Sequence, residues 1–168
     1  MCPSNTDIQI VEYTTPHYYE VVSLFDELQS HISSLDLYRI QSLGEEYHSR
    51  YFSLVERTVE QAGGKMLVAL HHDTVVGFAA GVIEQCDEID LLTTTCPKKG
   101  RVMELIVSKS SRRHGIGQLL MRSIESFLLS AGCEYIYVDV FAPNAAAAEF
   151  YSMLGYEMRN VELIKALT

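Results

Sequence analysis

The sequence predicts a single α/β domain of the α+β kind, spanning residues 1–168 and built around a largely antiparallel sheet. Three observations carry this expectation. Short β-rich runs and amphipathic helical stretches mix along the whole chain in the order βααβββαβαβ. Two apolar runs, Met66 to Leu70 and Thr74 to Ile83, are separated only by the residues around His72-Asp73, so they read as an antiparallel hairpin. The chain is 168 residues long and 48% apolar, enough to bury one full core. The expected sheet has six or seven strands and about four flanking helices.

Ile8 to Tyr13 alternates apolar and polar residues and reads as the first strand, and Thr14, Thr15 and Pro16 then start a helix. Val21, Val22, Leu24, Phe25 and Leu28 recur at helical spacing. Ser33 to Ser42 reads as irregular. Gly44 closes that stretch, and Glu45 to Gln61 forms a second helix with Phe52, Val55 and Val59 on one face. Gly63-Gly64 breaks it ahead of the hairpin. Glu84 to Gly100 reads as polar and irregular, and Val102 to Val107 as another strand. Ile116, Leu119, Leu120, Ile124, Phe127 and Leu128 line one helical face, which Gly132 ends. Tyr135 to Phe141 is rich in β-branched and aromatic residues. Pro143-Asn144 caps a helix over Ala145 to Leu154, and Tyr156 to Leu167 supplies one or two final strands.

Composition excludes several functional classes. The longest clean apolar run, Val75 to Ile83, is nine residues, against about twenty for a membrane-spanning helix. Met1 to Asn5 has neither a basic region nor an apolar stretch, so no secretory signal is read there, and a soluble cytoplasmic protein is expected. Cys2, Cys86, Cys96 and Cys133 match no zinc or CxxC spacing; Cys86 and Cys96 could face each other across a hairpin, but free thiols are expected in a reducing compartment. His71-His72 has no third ligand nearby, so no metal site is expected. The net charge of −9 argues against a nucleic-acid partner. Against that acidity, Lys98, Lys99, Arg101, Lys109, Arg112 and Arg113 fall within sixteen positions and suggest a local anionic ligand.

The segment after Val107 explains what such a ligand could meet. A strand, a polar turn (Ser108 to Arg113) and then Gly115-Ile116-Gly117 opening a helix make an anion site. The first amides of a helix have no internal partner, and the helix dipole places partial positive charge there. Arg112 and Arg113 add full charges. No Walker A loop occurs, and a lone G-x-G does not complete a Rossmann fingerprint.

Arg112-x-x-Gly115-x-Gly117 resembles the Q/R-x-x-G-x-G/A signature of the GNAT superfamily of N-acetyltransferases. Downstream, Asn144-Ala145 and Glu149-Phe150-Tyr151-Ser152-Met153-Leu154-Gly155-Tyr156 are similar to the family's N-x-x-A-x-x-F-Y-x-x-x-G-F segment, with Tyr156 replacing the final Phe. The resemblance implies that the strands holding Leu105 and Val138 run parallel and splay into a V that receives acetyl-CoA. Its pantetheine would then pair with the backbone of Leu105, Ile106 and Val107, and a backbone amide near Ile106 would meet the acetyl carbonyl. Its pyrophosphate would lie over Arg112, Arg113, His114, Gly115, Ile116 and Gly117, with Asn144 and Tyr151 completing the cofactor site. The implied reaction is direct attack of a primary amine on the thioester through a tetrahedral intermediate, with no metal. Tyr151 is the expected acid for the departing thiolate and Glu104 the expected base.

Three functions fit this reading: an acetyl-CoA-dependent N-acetyltransferase, a transferase of another acyl group or to another acceptor, and a catalytically silent acyl-CoA sensor. The acceptor is expected to be a small-molecule or peptide amine that is cationic before it reacts. Glu84, Asp87, Glu88 and Asp90 could border its mouth, and Tyr38, Tyr47, His48 and Tyr51 could line its pocket. The resemblance is compatible with a homodimer through the C-terminal strands, and the sequence leaves the oligomeric state open.

Overall fold

A computed structural model describes residues 7–41 and 47–167. The elements follow in chain order: β1 (Ile8–Glu12), α1 (Tyr18–Leu35), α2 (Tyr47–Gln61), β2 (Lys65–His71), β3 (Thr74–Glu84), α3 (Glu88–Thr93), β4 (Lys99–Val107), α4 (Ile116–Ser130), β5 (Tyr135–Val138) and α5 (Ala145–Met153). The expectations placed on Gly44 and Glu45 lie outside the described residues.

The sheet has the order β1-β2-β3-β4-β5; its first four strands pair antiparallel and β5 pairs parallel to β4. This is the expected mixed, mostly antiparallel α+β domain, with five strands among the described residues rather than six or seven. Among the described residues no strand follows α5, although Tyr156 to Leu167 carries a strand-like pattern; Met158, Val161, Leu163 and Leu167 are exposed there. A strand needs a neighbouring edge as well as a pattern.

The sheet sits between two helical layers, each with its own core. On one face Val21, Leu24 and Phe25 of α1 and Phe52, Val55 and Val59 of α2 pack on Val68, Phe78, Ala80 and Ile106. On the other, Ile116, Leu120, Met121, Ile124 and Leu128 of α4 pack on Ala69, Ala79 and Val102. β3 is buried from Val75 to Val82 because helices cover both its faces. Gly77, Gly81 and Gly100 admit α4 to the sheet: a Cβ on Gly81 would lie 2.7 Å from Ile124, and one on Gly100 2.7 Å from Leu128.

Two features of β4 shape the centre of the molecule. Opposite β3, Ala80 pairs with Glu104 but Gly81 pairs with Val102, which leaves Met103 as an extra, bulged residue. The bulge reverses the alternation of side chains. Val102 faces α4, whereas Met103 and Ile106 pack on the α1–α2 side, and Glu104 reaches α2 there. Opposite β5, pairing runs only from Lys99↔Tyr135 to Val102↔Val138. Beyond Val102 the two parallel strands are no longer paired, as the V-shaped splay requires.

The segment from Glu84 to Gly100 is more ordered than its sequence suggests. Asp87 caps the short helix α3, its side chain accepting from the Asp90 amide at 2.7 Å, and β4 begins at Lys99. Cys86 and Cys96, expected as free thiols, form a disulfide with Cα atoms 6.1 Å apart, which closes this loop; Cys133 is free and buried. The fold brings the two cysteines to the two ends of one excursion between β3 and β4.

Candidate active site

The loop between β4 and α4 is held at several points. The Ser108 amide donates to the Val76 carbonyl at 2.9 Å, and the Lys109 amide donates to Glu27 of α1 at 2.8 Å. Arg112 donates through Nε to the Val107 carbonyl at 3.0 Å. Arg112 therefore clamps the loop to the end of β4 as well as carrying charge. Arg113 and Gly115 both adopt left-handed backbone (φ 67° and 77°), and they turn the chain tightly into α4. Gly115 is the N-cap residue and no side chain caps the helix, so the first amides of α4 remain available to an anion. His114 is half-buried with Nδ1 3.2 Å from the Ser111 carbonyl, and Ile116 is buried in the α4 core.

Gly117 has a different neighbour from the one expected. A Cβ there would lie 3.3 Å from the ring of Phe150 and 3.7 Å from Val107. Its missing side chain lets α5 pack against α4. Asn144 caps α5, accepting from the Ala147 amide at 3.3 Å, so its expected place in the cofactor site is joined to a structural one. Leu105 and Val107 face the α4 side and are half-buried, while Ile106 is in the opposite core.

Glu104 is only 7% exposed. The Tyr51 hydroxyl of α2 donates to its Oε1 at 2.5 Å. Tyr47 stacks on Tyr51 with ring centroids 5.3 Å apart, and Phe25 meets Tyr51 edge-on at 5.7 Å. Burial raises the Glu104 carboxyl from 4.5 to about 7, against the opposing pull of the Tyr51 hydrogen bond. Tyr151, on α5, is pushed up to about 12, first by burial and then by the charge of Glu104. The charge of Glu104 is thus felt at Tyr151, the other expected catalytic group. Among the described residues the Tyr151 hydroxyl has no hydrogen-bond partner; its ring packs edge-on against Phe150 and Tyr156 at 5.3 and 5.6 Å.

Four other expectations change. Lys99 pairs with Asp90 at 2.6 Å, Arg101 pairs with Glu84 and reaches Asp139 at 2.6 Å, and Lys98 donates to the Ala131 carbonyl at 2.5 Å. Half of the basic cluster is thus engaged in local contacts, leaving Lys109, Arg112 and Arg113 at the loop. Glu84 and Asp90 are engaged in the same contacts and Asp87 caps α3, which leaves Glu88, itself exposed, of the four acids expected at the acceptor mouth. His48 pairs with Asp26 at 2.6 Å, and Tyr38 is 52% exposed. Of the four pocket candidates, Tyr47 and Tyr51 are the two that gather at Glu104.

A cleft of about 490 Å³ lies on the same face, lined by Thr58, Gln61, Gln85, Arg101 and Met103 among others. It reaches the residue immediately before Glu104. No helix among the described residues is long and apolar enough to cross a membrane.

The family model described as the acetyltransferase (GNAT) family matches residues 28–156, which take in α2, the β4–α4 loop and α5. The chain belongs to the GNAT acetyltransferase family. An uncharacterized N-acetyltransferase of Methanocaldococcus jannaschii is 35% identical over 63 residues, a match covering 37% of this chain and only 40% of that relative. A point mutant of the BH1408 protein from Bacillus halodurans superposes with a TM-score of 0.79 at 23% identity, over 95% of this chain and 99% of that one. An aminoglycoside acetyltransferase from an uncultured soil metagenomic sample superposes with a TM-score of 0.67 at 16% identity, over 98% and 99% of the two chains. These structural likenesses are likenesses of fold.

Proposed function

We propose that this GNAT protein is an N-acetyltransferase that moves the acetyl group of acetyl-CoA to a primary amine. The observation that carries the reading is a buried carboxyl, Glu104, two residues past the last β4–β5 pair at Val102, whose charge is felt at the partnerless hydroxyl of Tyr151. The uncapped start of α4, with Arg112 and Arg113, suits the donor's pyrophosphate. The β5-facing edge of β4 beyond Val102 suits a pantetheine strand. Arg112 uses part of the Val107 carbonyl's capacity, so the pairing falls mainly to Leu105 and Ile106.

In this mechanism the amine nitrogen attacks the thioester carbonyl, its proton passes to Glu104, and the C–S bond breaks as Tyr151 protonates the sulfur. A lysine-type ammonium near 10.4 is about 3.4 units above a carboxyl near 7, so deprotonation is uphill by about 5 kcal/mol. A carboxylate at its ordinary value would face about 8 kcal/mol. Burial in the site lowers the ammonium value further. Burial is the main cause that holds Tyr151 high; protonating Glu104 removes the second, its negative charge, so proton uptake at one end makes the acid at the other somewhat stronger.

The acceptor is a cationic small-molecule or peptide amine in this reading. The basis for cation selection is Tyr47 and Tyr51, whose ring faces and neighbouring carboxylate attract an ammonium, together with the net charge of −9. A panel of amines with acetyl-CoA and thiol-release detection tests it. Turnover of cationic amines, weakened by salt, is expected. CoA binding without turnover of any amine would instead identify a sensor, and turnover of only anionic or neutral acceptors would remove the electrostatic argument.

We also propose a homodimer formed through the segment after α5. Val161, Leu163 and Leu167 are 65%, 90% and 92% exposed there, and β5 ends the described sheet. Light scattering across a concentration series is expected to give twice the chain mass. A monomer at all concentrations would rule the dimer out.

A further inference from the structure

At the opposite edge of the sheet, Asp7, His71 and His72 bring one carboxylate oxygen and two imidazole nitrogens within 4.8 Å of one another. We propose that these three residues form a binding site for a divalent transition-metal ion of the zinc type. The site is independent of the acetyl-transfer reading and of every residue in it.

The convergence has a backbone cause. Successive side chains on a strand point to opposite faces, so two adjacent histidines on a regular strand could not share a ligand. His71 is the last residue of β2 and pairs with Thr74, which makes His72 and Asp73 the two central residues of a tight hairpin turn. Both adopt left-handed backbone, with φ 47° and 63°. The turn brings the His72 ring back beside that of His71, with centroids 4.3 Å apart. The third ligand arrives from another strand. Ile8 of β1 pairs with His71, so the preceding residue, Asp7, lies at the same corner. The sequence distance from Asp7 to His71 hides a neighbourhood that the β1–β2 register creates.

Two imidazoles and one carboxylate are a nitrogen-rich, borderline set that favours zinc, nickel or copper over magnesium or calcium. Metal–ligand distances near 2.0–2.1 Å place donor atoms roughly 3.3 Å apart in a tetrahedral site. The side chains must therefore close inward. Asp7 and His72 are exposed and His71 half-buried, so rotation at the surface suffices. Three protein ligands leave a fourth position for water. Because the donors come from β1 and from the β2–β3 turn, a bound ion would tie the edge strand β1 to the hairpin and stabilise the folded chain by mass action.

The decisive variant is His72→Asn. Asparagine tolerates the left-handed conformation and favours such turns, so the hairpin survives while one ligand is lost. Full-length protein, freed of metal with EDTA, is titrated with zinc chloride by calorimetry. Its melting temperature is then read in zinc and in EDTA. Wild type is expected to bind one zinc ion per chain and to melt higher in zinc. His72→Asn and Asp7→Asn should each weaken binding at least about tenfold and lose the zinc-dependent rise in melting temperature, with no fall in EDTA. Magnesium chloride should give neither signal. Zinc binding that is absent in wild type, unchanged in both variants, or matched by magnesium overturns the proposal.

Discussion

Tyr51 of α2 and Glu104 of β4, 53 positions apart, share a hydrogen bond of 2.5 Å in the interior of the molecule. The bond opposes the burial that lifts Glu104 to about 7. Removing it should therefore raise the carboxyl still further. In the proposed mechanism the base acts when ionised, so kcat/KM of the wild type should rise with pH through about 7 and level off. In Tyr51→Phe the same rise should move to higher pH while the plateau is largely kept. A pH–rate profile checks both statements. An unshifted rise would make Tyr51 a packing residue only.

The same raised value makes a statement about stability. A carboxyl whose folded value lies above its unfolded value stabilises the fold relative to higher pH, fully below about 4.5 and progressively less as pH climbs through about 7. The gap between 4.5 and about 7 corresponds to about 3 kcal/mol. Glu104→Gln should accordingly melt higher than wild type at pH 8, with the advantage gone at pH 4. Its turnover should fall by roughly 10²–10⁴, the range of a general base. Melting curves at the two pH values, with kinetics beside them, test the pair of expectations.

Tyr151→Phe removes the hydroxyl without changing the packing of the ring against Phe150 and Tyr156. Acetyl-CoA affinity by calorimetry should stay close to wild type, while kcat falls by about 10² or more. Full turnover in a folded variant would return Tyr151 to a packing role.

Gly117→Trp should lose acetyl-CoA binding, through displacement of α5 as well as obstruction of the loop. The ring of Phe150 already stands 3.3 Å from where a Cβ would sit, and overpacking of this kind costs about 1–3 kcal/mol. Gly117→Ala asks Phe150 to yield only slightly, so it should bind with small loss. Comparing calorimetry and melting temperature for the two variants separates packing from ligand contact. Wild-type affinity in Gly117→Trp would count against both.

Much of this was legible from residues alone. Leu120, Ile124 and Leu128 mark a helix by their spacing, and they lie buried on α4. Arg112, Gly115 and Gly117, with Phe150 and Tyr151, resemble the family that the comparisons then show. Such features are local: periodicity, turn chemistry and short motifs are written in neighbouring positions. The final strands failed for a corresponding reason, since the pattern over Tyr156 to Leu167 cannot state which edge, if any, is free to pair.

The sequence by itself determined the α+β class, the order of its elements apart from α3 and the final strands, and the glycine-bearing loop before α4. Only the tertiary structure decided what those elements bring together. The bulge at Met103 turned Glu104 away from α4 and toward Tyr51, β1–β2 pairing carried Asp7 to the two histidines, and Lys99 and Arg101 found Asp90, Glu84 and Asp139 instead of a ligand. Each of these depends on strand register or on contact between distant segments. A one-residue slip in register sends a side chain to the other face of a sheet, and no local run of residues records that choice.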